Sequence, residues 1–338
     1  MENAISINNN TNQETPFSPK ASLTRYWKSH ISNSLPIPNF LISKASPLSA
    51  VKAAFFSNLA AHNELSTYLS SFCSAANLLC SFNSANNPNN NFKHGIGFLI
   101  YSNATGPHRF LSNKMVEPEK FFRESQLKSG TIMNMPDIRD TMPERSFLPR
   151  SIVSNLPFST SRLDQLKQLF HASHDSVAER VLVNALTECE RNPNSGETKR
   201  CVGSIEDMID FSISVLGPNV VARTTENTNG WAQSVMIGSV NRINDGNISK
   251  SVSCHQILYP YLLYCCHSLP NVRVYAADIL DVQTKVKINN GIAVCHLDTS
   301  DWSPEHGAFL ALKSSPGLIE VCHWIFENDM NWTVAQSQ

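Results

Sequence analysis

The sequence predicts an α+β fold in which helices precede a mainly antiparallel β region. Apolar residues recur at helical spacing in the segment Asp175–Glu190, for example at Val177 and Val181. After Asn219 the chain changes to short segments rich in Val and Ile, which turn residues separate. Helices that precede a run of strands, instead of alternating with them, are typical of the α+β class.

Helical patterns occupy two stretches of the chain. Residues 19–80 show apolar spacing typical of helices, although several prolines interrupt the approach to it. In the second stretch the predicted helices are Ser161–Phe170, Asp175–Glu190 and Ser204–Leu216. The last of these has a defined start and end, because Ser204 can cap its N-terminus and Gly217 with Pro218 cannot continue it.

The β region is predicted from seven short segments rich in strand-forming residues. They are Val220–Arg223, Ser234–Val240, Val272–Ile279, Thr284–Ile288, Gly291–Leu297, Ala308–Lys313 and Leu318–Phe326. Two Asn-containing tripeptides ending in glycine, at 244–246 and 289–291, are predicted to form turns between strands. These segments are expected to pair as antiparallel strands.

Composition divides the chain into three regions. We expect residues 1–82 to be partly helical, residues 83–120 to form an Asn-rich linker, and residues 121–338 to form the main domain. The linker begins in a low-complexity stretch, FNSANNPNNNF, which has too few apolar residues to bury a core.

Charge and hydropathy exclude two classes of partner. The chain has 338 residues and a formal net charge of −1, which provides no positive field for nucleic-acid binding. It has no run of about 20 apolar residues, the length that a membrane-spanning helix needs. The first residues, MENAISINNNTNQE, lack the basic and then apolar layout of a secretory signal.

Four Cys-His dipeptides stand out near the end of the chain. The pairs are Cys254-His255, Cys266-His267, Cys295-His296 and Cys322-His323, and Trp332 follows them. Successive side chains of a strand point to opposite faces, so each pair on a strand separates its sulfur from its imidazole. Four such strands would give one face of thiols able to form two disulfides and another face of converging imidazoles.

Three interpretations of the four histidines remain open. Imidazole ligands suit copper(II) or zinc, and the Irving–Williams order favours copper, which makes His255, His267, His296 and His323 candidate ligands. A mixed Cys/His zinc site is the competing metal site. In the third interpretation the histidines only form hydrogen bonds within a core that disulfides cross-link.

The Cys-His series and several other motifs resemble the BURP-domain family. The matching segments are Phe121-Phe122-Arg123-Glu124, Phe147-Leu148-Pro149-Arg150, Leu156-Pro157-Phe158-Ser159, Gly196–Cys201 and Met208-Ile209-Asp210-Phe211. The resemblance covers residues 121–334. It implies a secreted protein of the plant apoplast or cell wall, with a BURP domain at 121–338.

Further segments, most of them before residue 121, resemble one type within this family, the non-catalytic beta subunit of polygalacturonase. The similar segments are Pro16–Lys28, Phe40–Leu48, Phe72–Cys80 and Lys128–Arg150. This type implies a non-catalytic subunit with a catalytic polygalacturonase and pectin as partners, affecting wall metabolism or cell size. The long array of Phe-x-x-Tyr repeats found in that type is missing here and is at most vestigial in the linker.

A second function follows from other members of the family. Some BURP-domain proteins are copper-dependent autocatalytic cyclases that cross-link Tyr or Trp side chains in their own chain. The resemblance implies that the four histidines would hold the copper, and no other cofactor is expected. A core peptide for this reaction is not recognisable in the sequence.

The remaining cysteines and the sequons favour an oxidising compartment. Cys73 and Cys80 are one nearby pair, and Cys189 with Cys201 flanks a loop suited to a local bridge. Two further bridges are expected among Cys254, Cys266, Cys295 and Cys322, whose connectivity the sequence leaves open, and Cys265 is the odd thiol. The predicted glycosylation sites are Asn103, Asn247 and Asn331.

Overall fold

The computed structural model describes residues 17–80 and 120–336. In these residues nine α-helices form: α1 Pro19–His30, α2 Asn39–Ile42, α3 Ala50–Ala61, α4 Leu69–Ala76, α5 Arg150–Val153, α6 Leu163–Leu169, α7 Val177–Glu190, α8 Ile205–Leu216 and α9 Gly307–Leu312. Short 3₁₀ turns lie at Leu65–Tyr68, Glu124–Gln126, Thr160–Arg162 and Ile243–Gly246. Most of the predicted linker, 83–120, lies outside the described residues.

Twelve strands complete the described fold. They are β1 Phe121–Phe122, β2 Ile132–Asn134, β3 Thr198–Val202, β4 Val220–Arg223, β5 Glu226–Asn227, β6 Ser234–Arg242, β7 Val252–Ile257, β8 Leu263–Ser268, β9 Val272–Asp281, β10 Lys287–His296, β11 Val321–Ile325 and β12 Met330–Val334. The predicted α+β class is confirmed, with helices concentrated before the strands.

Serine side chains begin four of the helices. The hydroxyls of Ser18, Ser49, Ser176 and Ser204 each accept a hydrogen bond from the backbone N–H three residues later. Each bond satisfies one of the donors left unpaired in the first turn of a helix. Helix α8 ends as expected at Gly217, whose φ of 81° only glycine adopts readily.

The strands form two antiparallel sheets. The first has seven strands in the order β1-β11-β10-β9-β6-β2, with β5 also paired to β10, and the second has five in the order β3-β8-β7-β12-β4. The first sheet therefore contains the third and fourth Cys-His pairs, on β10 and β11. The second sheet contains the first and second pairs, on β7 and β8.

The N-terminal helices share cores with the sheets. Trp27 of α1 packs against Trp332 of β12, with ring centroids 6.0 Å apart. Tyr26 donates a hydrogen bond to Asp210 of α8, and Arg150 pairs with the same carboxylate at 2.7 Å. Helices α3 and α4 pack with α6 and α7 in a second core, which also contacts the second sheet. Residues 17–80 are thus an integral part of the fold.

Two predictions in the β region are wrong. Residues 289–291 do not turn but lie within β10, where a bulge between Lys287 and Asn289 keeps the strand continuous. A Cβ at Gly291 would lie 2.8 Å from the Trp324 ring, so the glycine allows close approach and is not there to turn the chain. The segment Ala308–Lys313 forms helix α9 instead of a strand, with His306 accepting the N-terminal hydrogen bond from Ala308.

Candidate functional site

Two disulfides lock the strand pairs that carry the Cys-His dipeptides. Cys254 lies directly opposite Cys266 in the β7–β8 pair, and Cys295 directly opposite Cys322 in the β10–β11 pair. Their Cα atoms are 3.9 and 4.0 Å apart, respectively, and both bridges are formed. All four sulfur-bearing residues are fully buried. Because side chains alternate along a strand, each bridge leaves its histidines on the opposite face.

The four imidazoles come together in a row from both sheets. His267 and His255 of the second sheet have ring centroids 5.4 Å apart, and His255 lies 5.9 Å from His323 of the first sheet. His323 stacks on His296 at 5.4 Å, with their Nε2 atoms 3.3 Å apart. The row therefore joins two sheets through residues that are far apart in the chain.

Acidic side chains and a backbone carbonyl face the other ring nitrogens. Nδ1 of His255 is 2.9 Å from Oδ2 of Asp329, whose Oδ1 accepts the backbone N–H of Gln256. Nδ1 of His267 lies 3.2 Å from Oε1 of Glu197, an ion-pair distance at an angle unsuited to a hydrogen bond. Nδ1 of His323 lies 3.3 Å from the carbonyl oxygen of Trp324. Contacts of this kind fix ring orientation and leave Nε2 available.

Burial lowers the pKa of three of these imidazoles, because a charged ring is poorly solvated there. The pKa of His296 falls to about 3, and the pKa of His323 lies well below its usual range; neighbouring histidines add to both effects. The pKa of His267 is also lowered by burial, although the adjacent carboxylate of Glu197 acts in the opposite direction. These rings are neutral at neutral pH, which is the form that binds a metal ion.

The donor type fits copper or zinc, but the spacing is wider than an ion requires. Imidazole nitrogens bind zinc at about 2.0–2.1 Å, so ligands of one ion lie within about 4.2 Å of one another. Among the described residues, no three of these imidazoles each place a nitrogen within 4.8 Å of the other two. The rings would have to move together before they could hold an ion.

Another cluster of titratable side chains has the close spacing that a metal ion requires, but its surroundings do not favour metal binding. His174, Asp175 and Glu179 each place a ligand atom within 4.8 Å of the others. His174 and Asp175 are more than four-fifths exposed, and Lys167 already pairs with Glu179. A cation at this position would compete with the ammonium group of the lysine, so the cluster is best explained as a surface ion-pair network.

The other two disulfides hold helical segments. Cys73 and Cys80 are bridged because α4 ends at Ala76 and Asn77 adopts a left-handed conformation, which brings the chain back. Cys189 at the end of α7 is bridged to Cys201 of β3. Cys265 is a buried free thiol directly opposite Cys201 in the β3–β8 pair. Burial raises the pKa of this thiol to about 12.

Only one of the three sequons lies on the described surface. Asn247 is exposed, directly after the 3₁₀ turn that precedes β7. Asn331 is fully buried in β12, where its amide donates hydrogen bonds to Ser251 and Ser253 at 3.2 and 3.1 Å. Burial leaves no room for a glycan at Asn331 in the folded chain, so the structure does not favour the predicted glycosylation there. Asn103 lies outside the described residues.

Sequence reasoning did not identify the acidic partners of the histidines. Glu197 precedes β3 by one residue, and Asp329 precedes β12. The only signal for Glu197 was its place in the Gly196–Cys201 motif, and nothing in the sequence linked Asp329 to a histidine. Trp302 was also missed, although its ring meets the ring of His296 edge to face at 5.2 Å. These neighbours depend on contacts between distant segments.

No helix in the described part of the chain is long and apolar enough to cross a lipid bilayer.

The chain is similar to several plant proteins. It is 67% identical over 225 residues to a tomato (Solanum lycopersicum) protein named "Polygalacturonase-1 non-catalytic subunit beta", covering 67% of this chain and 36% of the relative. It is 60% identical over 258 residues to the Arabidopsis thaliana "Polygalacturonase 1 beta-like protein 3", covering 73% and 41%, respectively.

A third relative matches nearly end to end. The rice (Oryza sativa subsp. japonica) "BURP domain-containing protein 16" is 43% identical over 331 residues, covering 95% of this chain and 91% of the relative. By contrast, the chain spans about two fifths of the tomato and Arabidopsis relatives. The family model described as "BURP domain" matches residues 120–334, which include both sheets and all four Cys-His pairs. The chain belongs to the BURP-domain family.

Proposed function

We propose that this protein is a non-catalytic subunit that binds a polygalacturonase and modulates its action on pectin in the plant cell wall, and thereby affects wall metabolism or cell size. One observation carries the proposal: over 225 residues the chain is 65–67% identical to three tomato proteins named as non-catalytic subunits of polygalacturonase. Identity at this level supports a shared surface chemistry as well as a shared fold.

The covalent structure supports a location in the apoplast. Four disulfides cross-link the described residues, and bridges of this number persist in oxidising compartments. The exposed Asn247 sequon is compatible with passage through the secretory pathway. Two of the bridges lie within the sheets, which suits a rigid binding surface.

Association with the enzyme tests this proposal directly. The purified, non-reduced chain is mixed with a catalytic polygalacturonase from a plant cell wall and analysed by size-exclusion chromatography and surface plasmon resonance. We expect a complex and a changed rate of pectin hydrolysis. The matched control is the same chain after reduction and alkylation, which removes the four bridges. No complex at micromolar concentrations, together with an unchanged rate, would contradict the proposal.

Metal-dependent cyclisation of its own Tyr or Trp side chains is a second candidate function. The observation that favours it is the row formed by His255, His267, His296 and His323, with carboxylates beside two of the rings. These four residues would hold copper, which would supply the redox chemistry when bound. The chain itself would keep the imidazoles neutral and orient them through Asp329 and Glu197.

Metal analysis of the non-reduced protein tests the second candidate. After exposure to copper and to zinc followed by gel filtration, bound metal is measured in the wild type and in the double variant His296→Ala/His323→Ala. Copper retained by the wild type and lost in the variant would support the site and direct a mass-spectrometric search for cross-linked Tyr or Trp. Equal metal content in the two proteins would exclude these histidines as ligands.

A further inference from the structure

A surface cavity of about 290 Å³ lies far from the histidine row in the sequence, at the seam between the N-terminal helices and the family-matched region. One wall comes from the end of α3 and the 3₁₀ turn that follows it. The other wall comes from the loop after α5 and from α6. The volume is at the lower end of the range of about 300–1,000 Å³ that is usual for small-molecule sites.

The lining has an unusual chemical composition. Its polar members carry amide or hydroxyl groups, apart from one guanidinium: Asn63, Ser66, Asn155, Arg162, Gln165 and Gln168. The described lining includes no Asp or Glu. The charge inside the cavity is therefore a single positive one, surrounded by groups that both donate and accept hydrogen bonds.

The guanidinium of Arg162 donates a hydrogen bond to a neighbouring side chain but has no anionic partner in the described part of the chain. Its Nε donates a hydrogen bond of 2.8 Å to Oε1 of Gln165, one turn along α6. No carboxylate of the described residues forms an ion pair with Arg162, and the carboxylate of Glu190 accepts a hydrogen bond from the backbone N–H of Thr160 at 2.7 Å. The two terminal nitrogens of the guanidinium remain available for a carboxylate, which they bind most favourably in a bidentate geometry.

The amides around this cation have free hydrogen-bonding capacity. Asn155 uses its Nδ2 on the carbonyl of Ser151 at 2.8 Å, which leaves its Oδ1 for a ligand. Gln168 and Asn63 are exposed, and their side chains have no partner in the described part of the chain. Groups that both donate and accept match vicinal hydroxyls, each of which also does both.

Apolar side chains form the floor of the cavity. Leu65, Leu156 and Leu169 line it and are buried, so their positions are fixed by the core beneath them. An apolar floor suits the C–H face of a sugar ring, whereas one cation is too little charge for a nucleotide with several phosphates.

We propose that this cavity binds one uronic acid unit of an acidic polysaccharide, with the carboxylate on Arg162 and the ring hydroxyls on the surrounding amides. The inference deepens the proposed function, on which it rests for the choice of galacturonate among uronic acids. It assigns contact with the polysaccharide to the seam between the N-terminal helices and the BURP domain, so both regions are needed for binding.

Calorimetry with defined oligosaccharides tests the site in the full-length, non-reduced chain. Trigalacturonate is titrated at 0.15 M salt, where interactions between distant surface charges are screened. Its methyl ester, which lacks the carboxylate charge, is the second ligand. We expect trigalacturonate to bind and the ester to bind at least tenfold more weakly. Equal binding of the two, or no binding of trigalacturonate at millimolar concentration, would overturn the proposal.

Substitutions locate the binding. Arg162→Gln removes the charge, and Arg180→Gln on the exposed face of α7 is the matched control, since it removes the same charge outside the lining. A lost hydrogen bond to a charged group corresponds to a loss of about 10- to 150-fold. We expect that loss for Arg162→Gln, a smaller loss for Gln168→Leu and no change for Arg180→Gln. Equal losses for the two arginine variants would mean diffuse surface attraction and would contradict the proposal.

The same variants separate this inference from the proposed function. Arg162→Gln is expected to weaken oligosaccharide binding and to leave the complex with polygalacturonase intact. If the chain bound trigalacturonate through Arg162 but formed no complex with the enzyme, the cavity would stand and the subunit role would fail. If the complex formed but no variant affected oligosaccharide binding, the subunit role would stand and the cavity site would fail.

Discussion

His296 and His323 stack with their Nε2 atoms 3.3 Å apart, on neighbouring strands of one sheet. The bridge between Cys295 and Cys322, the residues just before them in the chain, lies on the reverse face of the same two strands. The disulfide and the imidazole pair therefore depend on the same strand register. A shift of β11 by one residue would break the bridge and move His323 to the other face, away from His296.

Removing this disulfide should cost more stability than removing a bridge over a shorter loop. The Cys295–Cys322 bridge closes 27 residues and the Cys73–Cys80 bridge closes 7. In the chain-entropy model these loops contribute about 3.5 and about 2.4 kcal/mol to the free energy of unfolding. Urea unfolding of the two double Cys→Ala variants measures the difference. Cys265→Ala, which leaves every bridge intact, is the control, and equal losses for the two double variants would contradict the expectation.

Glycosylation is expected at Asn247 and not at Asn331. Asn247 is exposed, whereas Asn331 is fully buried and hydrogen-bonded within the second sheet. Expression in a eukaryotic secretory host, enzymatic deglycosylation in heavy-oxygen water and peptide mass spectrometry identify the occupied sites. Asn247→Gln should remove the mass shift assigned to that peptide. A glycan found on the Asn331 peptide would show that β12 does not occupy its position in the secreted protein.

Acid should weaken the contact between β1 and β11 through Glu320. Burial alone would raise the pKa of this carboxyl group, but the hydrogen bonds from Arg123 at 3.0 and 2.6 Å lower it overall. A carboxylate with a lowered pKa contributes stability that is complete above the unfolded pKa of about 4.3 and is lost as pH falls through the folded value. Arg123 is 40% exposed, so solvent screening limits this contribution.

Glu320→Gln should therefore reduce the free energy of unfolding by about 0.5–1 kcal/mol at pH 7. The difference from the wild type should disappear near pH 2, where both side chains are neutral. Denaturant unfolding across this pH range provides the measurement, and the exposed Glu305→Gln is the control, expected to differ from the wild type by less than about 0.5 kcal/mol. A difference that persists at pH 2 would refute the electrostatic explanation.

The buried Arg145 is expected to be replaceable without loss of stability. Its side chain is buried, its only hydrogen bond within the described residues is to the Met142 sulfur at 3.6 Å, and burial lowers its pKa to about 10. A buried charge without a carboxylate partner recovers little of its desolvation cost. Arg145→Met should raise the free energy of unfolding by about 1–4 kcal/mol.

Arg191 is the matched comparison for this substitution. It forms two hydrogen bonds of 3.1 Å with Glu197, whose side chain is buried. Arg191→Met leaves that carboxylate without its cation and should destabilise the protein by about 3–5 kcal/mol. Thermal and urea unfolding of the two variants and the wild type measure both changes in the free energy of unfolding. A loss of stability in Arg145→Met comparable to that in Arg191→Met would show that Arg145 has a partner of equal strength.

Local patterns in the sequence predicted the faces of the strands but not the arrangement of the sheets. In each Cys-His dipeptide the sulfur and the imidazole were predicted to lie on opposite faces, because successive side chains of any strand alternate between its two faces. That β7 and β8 belong to a different sheet from β10 and β11 depends on long-range pairing. For the same reason the carboxylates of Glu197 and Asp329 could not be assigned to particular histidines.

The two wrong predictions of secondary structure, at 289–291 and 308–313, each have a physical cause. The asparagines at 289 and 290 are typical of turns, yet tertiary contacts hold them in β10, and Asn289 is fully buried there. Helix α9 has six residues, too short for its periodicity to distinguish it from a strand. Its N-terminal capping residue, His306, is also not among the side chains usually preferred at that position.

The position of β12 has a consequence for the biosynthesis of the protein. This strand lies between β7 and β4 in the second sheet, and among the described strands β4 pairs only with β12. On the ribosome, β4 emerges more than 100 residues before its partner, because Val220 pairs with Val334. During those seconds of translation the edges of β4 and β7 are both open to chaperones. The second sheet is therefore complete only after β12, the last strand of the domain, has been synthesised.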